Sequence, residues 1–551
     1  MLLEMKMSRY FSLLFSAFLL LATISCTRED PLPPDDQQET PEDVTDTPGE
    51  GPEDDIVDPG WESARTAVAN FGVGWNLGNT LDTHLSDAHD GADWKYWETG
   101  WGQVVTRPEL MLMMKNAGFG AIRVPVTWGV HMDASGKVFD AWMSRVREVV
   151  SYVLDAGMYC ILNIHHDTGA DESAWLVADP SVYLAQKDKF EYLWKQIAEE
   201  FRDHDHRLLF ESYNEMLDSR RSWCYASFNG AYDDVFARGA YEAINDYAQS
   251  FVDVVRGTGG GNIARNLIVN TYGACSGSGN WNVHLKDPLK YMELPDDVLE
   301  GHLAFEVHAY PGIDDFNAMK LEVGDMFAAL EEHLESKGAP VIIGEWGTSS
   351  VNPSETMLAD FASYFVSKAK ACEMGTFYWM TLSDGLARSL PAFNMPLLAE
   401  SIVKAFKGDT SAEVYPSLED YECTYTVTYS SQWAELNLVG RAVKTSDYSA
   451  VRLLLGSDPG EGNLAVKMYG ESESKQTYSH FSQAETTFAI DASKLGARVD
   501  RITLQYMKTG SFSIDVTDVE LLRKDGTKEK MSVSPFWGCT VDMNAVYKPK
   551  N

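Results

Sequence analysis

The chain of 551 residues carries 82 acidic against 45 basic side chains, a formal net charge of −37. That length exceeds one ordinary domain and suffices to bury at least one large core. The charge excludes attraction to phosphate backbones or anionic membrane surfaces as the basis of function, so nucleic acid is not an expected partner.

Lys6 and Arg9 precede the apolar run Phe11 to Ile24, which is too short to cross a bilayer and has the layout of a signal peptide over residues 1–25. The run ends Leu-Ala-Thr-Ile-Ser-Cys at 21–26, which resembles a bacterial lipoprotein cleavage box; the resemblance implies lipidation of Cys26. Residues 26–60 are rich in Pro, Asp and Glu and nearly free of large apolar side chains, so they read as an acidic, solvated tether. Besides Cys26 there are six cysteines, none in a CxxC or zinc-like spacing, and neither a metal nor another cofactor is expected. Export permits disulfides, with Cys224–Cys275 and Cys423–Cys539 as candidate pairs.

From residue 61 to 408 short β-rich apolar runs alternate with segments of helical period. The runs are Val73–Asn79, Ala121–Val126, Tyr159–His166, Leu208–Glu215, Asn266–Tyr272, Leu303–Tyr310, Pro340–Trp346 and Gly375–Met380. Helices are expected over Pro108–Ala117, Ala141–Ala156, Gln186–Phe201, Ala237–Arg256, Phe316–Ser336 and Glu355–Cys372. Eight such units specify an α/β fold, the (β/α)8 barrel. Asn79, Arg123, His165, His166, Asn214, Glu215, Tyr272, His308, Tyr310, Glu345 and Trp379 all fall at C-terminal strand ends, which converge on the one barrel face where active sites are built. Over residues 411–551 the pattern changes to seven short alternating runs between turns, which reads as a C-terminal antiparallel β-sandwich.

Hydrolysing a glycosidic bond with retention takes two carboxyl groups about 5–5.5 Å apart, one donating a proton and one attacking carbon. Glu215 and Glu345 end the fourth and seventh runs, across the barrel mouth from each other, and qualify as that pair. A carboxylate at the end of a buried strand loses solvation unless it is partnered, which also points to function.

Gly-Trp-Asn-Leu-Gly-Asn-Thr-Leu-Asp-Thr at 74–83, Ile-Arg-Val-Pro-Val-Thr-Trp at 122–128, Ile-Leu-Asn-Ile-His-His-Asp at 161–167, Asn-Glu at 214–215, Val-His-Ala-Tyr at 307–310 and Gly-Glu-Trp-Gly at 344–347 together resemble glycoside hydrolase family 5. The first motif, with Trp101-Gly102 and Val-Arg-Gly-Thr-Gly-Gly at 255–260, is most similar to the subfamily 4 endoglucanases and xyloglucanases. The resemblance implies Glu215 as acid/base and Glu345 as nucleophile of a retaining endo-β-1,4-glucanase. It further implies that Asn214 binds the sugar 2-hydroxyl, Arg123 keeps the nucleophile ionised, Tyr310 hydrogen-bonds Glu345, and His308 holds the acid/base region. His165 is expected in the catalytic pocket; His166, Asn79 and Asp82 are expected on sugar, and Trp379 beneath the reacting ring, followed by a cis Trp379–Met380 bond. Trp94, Trp97, Trp101, Trp128, Trp175 and Trp281 are divided between further sugar stacking and core. Met216 follows the acid/base where many relatives have proline, a difference in the loop and not in the catalytic groups.

The expected partner is a β-glucan polysaccharide such as xyloglucan, mixed-linkage glucan or cellulose, bound by a monomer that meets a membrane only through its lipid anchor. By resemblance the acidic segment immediately after Cys26 implies display on the outer-membrane surface of a Gram-negative glycan degrader. A mannanase or xylanase would use the same carboxylates. A non-catalytic glycan-binding lipoprotein would lack one of Asn214, Glu215 and Glu345, all of which are present. The aromatics Trp433, Tyr448, Tyr469, Tyr478, Phe481, Tyr506 and Trp537 suit either a carbohydrate-binding module or a structural sandwich.

Overall fold

The eight apolar runs form eight parallel strands that close on themselves: β1 (Val73–Asn76), β2 (Ala121–Val124), β3 (Tyr159–Asn163), β4 (Leu208–Glu211), β5 (Leu267–Cys275), β6 (Leu303–Ala309), β7 (Val341–Trp346) and β8 (Gly375–Tyr378). The computed structural model describes residues 59–85, 89–171, 173–222, 232–279, 282–472 and 474–548. The expected signal peptide, the Cys26 lipidation site, the tether up to residue 58, Cys224 and Trp281 lie outside the described residues. Among the described residues no helix is long and apolar enough to cross a membrane.

Each barrel strand pairs with its sequence neighbours, and β8 returns to β1 with Phe377 opposite Gly74. Nearly every strand position is buried, because helices cover the outer face and side chains fill the inner one. The outer helices include Pro108–Ala117, Asp140–Asp155, Pro180–Glu200, Asp234–Gly257, Phe316–His333, Glu355–Ala371 and Pro396–Lys407. Local chemistry sets their ends. Asp179, before Pro180, accepts from the amides of Ser181 and Val182, and Gly118 stops the Pro108 helix in a left-handed conformation.

The barrel interior is layered with a period of two. At the bottom Ala121, Ile161, Leu209, Ile268, Ala304, Ile342 and Phe377, one from each of β2 to β8, pack around Ala64, Val68 and Phe71 of a short helix, Ala64–Phe71, that plugs the base. Two residues further along their strands stand Asn76, Arg123, Asn163, Glu211, Asn270 and Glu306, all fully buried. A polar layer therefore lies directly on an apolar one. On β7 the corresponding position is Gly344, and a Cβ there would sit 1.6 Å from Glu306 Oε1, so the glycine makes room for that carboxyl.

The strands β1 to β4 and β8 stop two to four residues short of the runs read from sequence, at Asn76, Val124, Asn163, Glu211 and Tyr378. Asn79, His165, His166, Asn214, Glu215 and Trp379 accordingly sit on the loops just beyond the ladder. Glu345 remains within β7 and His308 within β6.

After the helix Pro396–Lys407 come β9 (Tyr421–Tyr429), β10 (Glu435–Val439), β11 (Val443–Lys444), β12 (Tyr448–Leu455), β13 (Leu464–Gly470), β14 (Gln476–His480), β15 (Glu485–Ala489), β16 (Arg498–Tyr506), β17 (Phe512–Arg523), β18 (Lys528–Lys530), β19 (Ser534–Trp537) and β20 (Cys539–Tyr547). They form two antiparallel sheets, β14-β13-β16-β10-β19 with β11 on β16, and β15-β12-β17-β9-β20 with β18 on β17. Their facing apolar side chains make a second core. Three barrel residues join that core: Ala387, Leu390 and Ala392, from the turn that follows β8.

The Cys423–Cys539 disulfide is not formed. Cys423 pairs with Ala545 and Cys539 with Tyr429, which puts the thiols at opposite ends of the β9–β20 ladder, about 20 Å apart at 3.3 Å per residue. Cys275 is buried, its Sγ donating to the Leu285 carbonyl at 3.3 Å and accepting from the Gly277 amide at 3.1 Å, and its expected partner Cys224 lies outside the described residues.

Candidate active site

Arg123 is the hub of the polar layer. Its Nε and Nη2 donate to Glu211 at 2.6 and 2.8 Å, Nη1 to Glu345 Oε1 at 2.8 Å and Asn76 Oδ1 at 3.0 Å, and Nη2 to Asn214 Oδ1 at 2.8 Å. Glu306 Oε1 lies 3.3 Å from Nε. Three buried carboxyl groups thus surround one guanidinium, and they cannot all ionise. Burial, then the charge of Glu211, raises Glu306 above the ordinary carboxyl range; burial works against Glu211 too, but Arg123 holds it low. Glu306 Oε2 meets no donor, which suits it to carry the proton.

Above this layer stand the two predicted catalytic carboxylates. Tyr310 OH donates to Glu345 Oε2 at 2.7 Å, so both Glu345 oxygens are held, one by a cation and one by a phenol. His308 Nδ1 lies 2.8 Å from Glu215 Oε1 and 3.6 Å from Glu345 Oε2, while its Nε2 is 3.3 Å from Glu306. Burial works against charging His308, but Glu345, Glu215 and Glu306 outweigh it and push its pKa up to about 10. It is therefore an imidazolium that donates to Glu215. Burial and the two carboxylates drive the Tyr310 phenol well above its usual range, so it stays a donor. One oxygen of Glu215 and one of Glu345 lie within 4.8 Å of each other. Glu215 is the more open of the two, 21% exposed at its side chain against 6% for Glu345.

His165 is kept neutral, first by burial and then by the cations around it. Asn163 Nδ2 donates to its Nδ1 at 3.1 Å, which leaves the proton on Nε2, 3.9 Å from Glu345 Oε1. Its ring stacks parallel to Trp379, at 5.8 Å and 8°. Trp379 is half-buried and presents a flat surface beside the carboxylates. The bond after it is trans and not cis as expected, since no cis peptide occurs among the described residues. The turn is made at Met380 instead, with φ +28°, and the Met380 carbonyl accepts from Trp75 Nε1 at 3.2 Å.

At the rim, Asn79 adopts a left-handed conformation, φ +57°, which asparagine tolerates. Asp82, expected on sugar, is wholly buried and instead holds that turn, accepting from the amides of Asn79 at 3.0 Å and Thr80 at 2.6 Å. Burial raises its pKa to about 6. Arg388 fastens the turn from the other side, donating to Gly78 O at 3.1 Å and Thr80 Oγ1 at 2.8 Å. His166 stays partly open and packs edge-on against His84 and Trp101. Trp97 and Trp128 are core; Trp94 lies under Arg145 and Trp175 under Lys189.

Among the described residues, three clusters bring potential metal donors within 4.8 Å: Glu215–His308–Glu345, Asp82–His165–His166 and His84–His166–Asp171. In the first, protonated His308 offers no lone pair, and in the second the backbone already occupies Asp82. In the third, His84 Nε2 contacts Asp171 at 3.1 Å.

Asn76, Asn163, Glu211, Asn270, Glu306 and Arg388 were not singled out from sequence. The signal for the first five was a polar residue two positions beyond an apolar interior one in the middle of a buried run. Nothing local marks Arg388.

The profile of the Cellulase family (glycosyl hydrolase family 5) matches residues 85–385. Endoglucanase A of Clostridium longisporum is 32% identical over 330 residues, 58% of this chain and 59% of its own length. Endoglucanase 1 of Ruminococcus albus is 33% identical over 318 residues, covering 56% of this chain and 71% of that protein. A solved structure of a broad-specificity subfamily 4 endoglucanase from an uncultured bacterium has 54% identity and a TM-score of 0.61, covering 63% of this chain and 97% of that one. A family 5 enzyme from Prevotella bryantii B14, solved as a mutant with a xyloglucan tetradecasaccharide, has 41% identity and a TM-score of 0.56, covering 63% of this chain and 99% of that one.

Proposed function

Because the chain belongs to glycosyl hydrolase family 5, we propose that it is a retaining endo-β-1,4-glucanase, with Glu345 as nucleophile and Glu215 as acid/base, acting on internal bonds of plant cell-wall β-glucans. The separation of these two groups carries the reading: oxygens within 4.8 Å suit the about 5–5.5 Å of a retaining pair better than the about 6.5–9.5 Å at which an inverting enzyme seats a water between its carboxyls.

Glu345, fixed by Arg123 and Tyr310, attacks the anomeric carbon while Glu215 gives its proton to the departing glycosidic oxygen. The sugar is then an ester of Glu345, which removes one negative charge from beside Glu215 and eases its role as base. Glu215 takes a proton from water, the water oxygen attacks the anomeric carbon, and the Glu345 carboxylate leaves. Asn214, whose oxygen is taken by Arg123, has Nδ2 left as a donor for the sugar 2-hydroxyl. Trp379 carries the apolar face of the reacting ring, and Asn79 and His166 line the approach.

Broad specificity in one relative and bound xyloglucan in another support a choice of xyloglucan, mixed-linkage glucan or cellulose. Lipidation of Cys26 and display at the outer membrane rest on the sequence of residues 6–26. The protein acts as a monomer in this reading.

The test is product release by a soluble form lacking residues 1–57 on xyloglucan, mixed-linkage glucan, carboxymethyl cellulose, glucomannan and xylan, beside Glu345→Gln. Release from a glucan by the wild type, with the β-anomer first in NMR and a silent variant, supports the assignment. Preference for glucomannan or xylan replaces the substrate, and silence on all five overturns the enzyme reading.

A further inference from the structure

The outward face of the sheet β14-β13-β16-β10-β19 is unlike the rest of the surface. Alternation sends Leu464, Val466 and Met468 of β13, Ile502 and Leu504 of β16, and Leu436 and Leu438 of β10 into the sandwich core. Lys467, Tyr469, Thr503, Gln505 and Glu435 are left on the other side. Glu435, only 5% exposed, accepts from four of them: Tyr469 OH at 2.6 Å, Thr503 Oγ1 at 2.8 Å, Gln505 Nε2 at 2.6 Å and Lys467 Nζ at 3.3 Å. Gln505 is equally buried, and its Oε1 has no hydrogen-bond partner; nor has Asn437 Oδ1 or Arg501 Nε on the same sheet.

Aromatic rings flank this centre. Tyr478 on β14 is 51% exposed, and Phe536 and Trp537 on β19 are 43% and 55% exposed; Trp433, just before β10, is 49% exposed. Among the described residues the one other aromatic in this exposed class is Tyr192. Four of the five aromatics in this exposed class among the described residues thus lie on or beside one sheet. Lys467 is engaged with Glu435 and Tyr478, and Arg501 lies over Phe536 at 3.9 Å.

Rings at both edges of a hydrogen-bonding floor match a neutral polymer whose residues have apolar faces and hydroxyl rims. We infer that this face binds a β-glucan chain as a second, non-catalytic site, with Tyr478 and Trp537 stacking on sugars at either edge of the sheet. Four strand spacings separate those two, about 19 Å, a span of several sugar units. The choice of polymer rests on the proposed function, since it is the chain that the barrel would cut.

The experiment uses the Asp58–Asn551 protein carrying Glu345→Gln, with cellotetraose added to fill the cleft, in affinity electrophoresis through xyloglucan and mixed-linkage glucan and in depletion by insoluble cellulose. The same protein with Tyr478→Ala and Trp537→Ala is the comparison, its fold checked by circular dichroism. Retention of the parent and a loss of about tenfold or more in the double variant are expected. In the Glu345-intact protein the two substitutions leave cello-oligosaccharide turnover unchanged. Equal retention of both proteins, or no retention of either, overturns the second site. Loss of oligosaccharide turnover when the two substitutions are made in the Glu345-intact protein overturns it too, by making the face a support for the barrel. Absence of turnover in the Glu345-intact protein without them is the separate failure of the enzyme reading.

Discussion

The proton held on Glu306 can be tested by replacing each of the paired carboxyls with its amide. In Glu306→Gln the amide oxygen takes over the contacts of Oε1 with Arg123 and His308, and the amide NH2 replaces the carboxyl O–H. Folding the wild type at pH 7 requires Glu306 to take up a proton, because its pKa rises from 4.5 on burial beside Glu211. The unfolded state binds fewer protons, so wild-type stability falls as pH rises above about 4.5 toward the raised folded-state value. A permanently neutral glutamine removes that slope, and Glu306→Gln should be neutral or stabilising at pH 7. Glu211→Gln behaves oppositely. It strips a bidentate partner, at 2.6 and 2.8 Å, from a fully buried guanidinium. Breaking a buried pair on one side costs about 3–5 kcal/mol, or about 3–7 °C in melting temperature for a cooperative unit of this size. Differential scanning calorimetry of the three proteins between pH 5 and 9 decides. Equal destabilisation by both variants, or a larger loss in Glu306→Gln, would refute the assignment of the proton.

Three other expectations follow from the same geometry. Tyr310→Phe removes the donor 2.7 Å from Glu345 and should lower kcat roughly 10- to 100-fold on a soluble glucan, as expected for a hydrogen bond to a charged group. Arg388→Met frees the Gly78–Thr80 turn that carries Asn79 and should raise KM more than it lowers kcat, read from initial rates across substrate concentration. His308, raised from 6.5 to about 10, contributes stability fully below pH 6.5 that is lost as pH rises through about 10; melting temperatures of His308→Asn against wild type over that window should converge at the alkaline end.

The barrel was legible because its strands are buried on both faces and so write uninterrupted apolar runs, while the sandwich strands alternate. Motif residues at strand ends also came together: Arg123, Asn214, His308 and Tyr310 all reach Glu215 or Glu345, directly or through one partner. What stayed hidden depends on depth or on distance along the chain. Glu211 stands in a run that was read for Glu215, and only the closed barrel turns it inward onto Arg123 from β2. Asp82 shares a motif with Asn79, yet its carboxylate turns back to the turn's own amides, a local geometry that residue order does not encode. Of the sandwich aromatics, alternation alone could not separate buried Tyr448 and Tyr506 from exposed Tyr478 and Trp537.

Ala387, Leu390 and Ala392 belong to the barrel by connection and to the sandwich by packing, and Arg388 between them grips the turn that carries Asn79. The join is consequently a weld. Pulling the sandwich away would strip three apolar side chains and unfasten a turn at the cleft rim, so neither half can melt without disturbing the other. Heating should give one merged calorimetric transition, and a softening of the sandwich would be felt first in the grip on substrate.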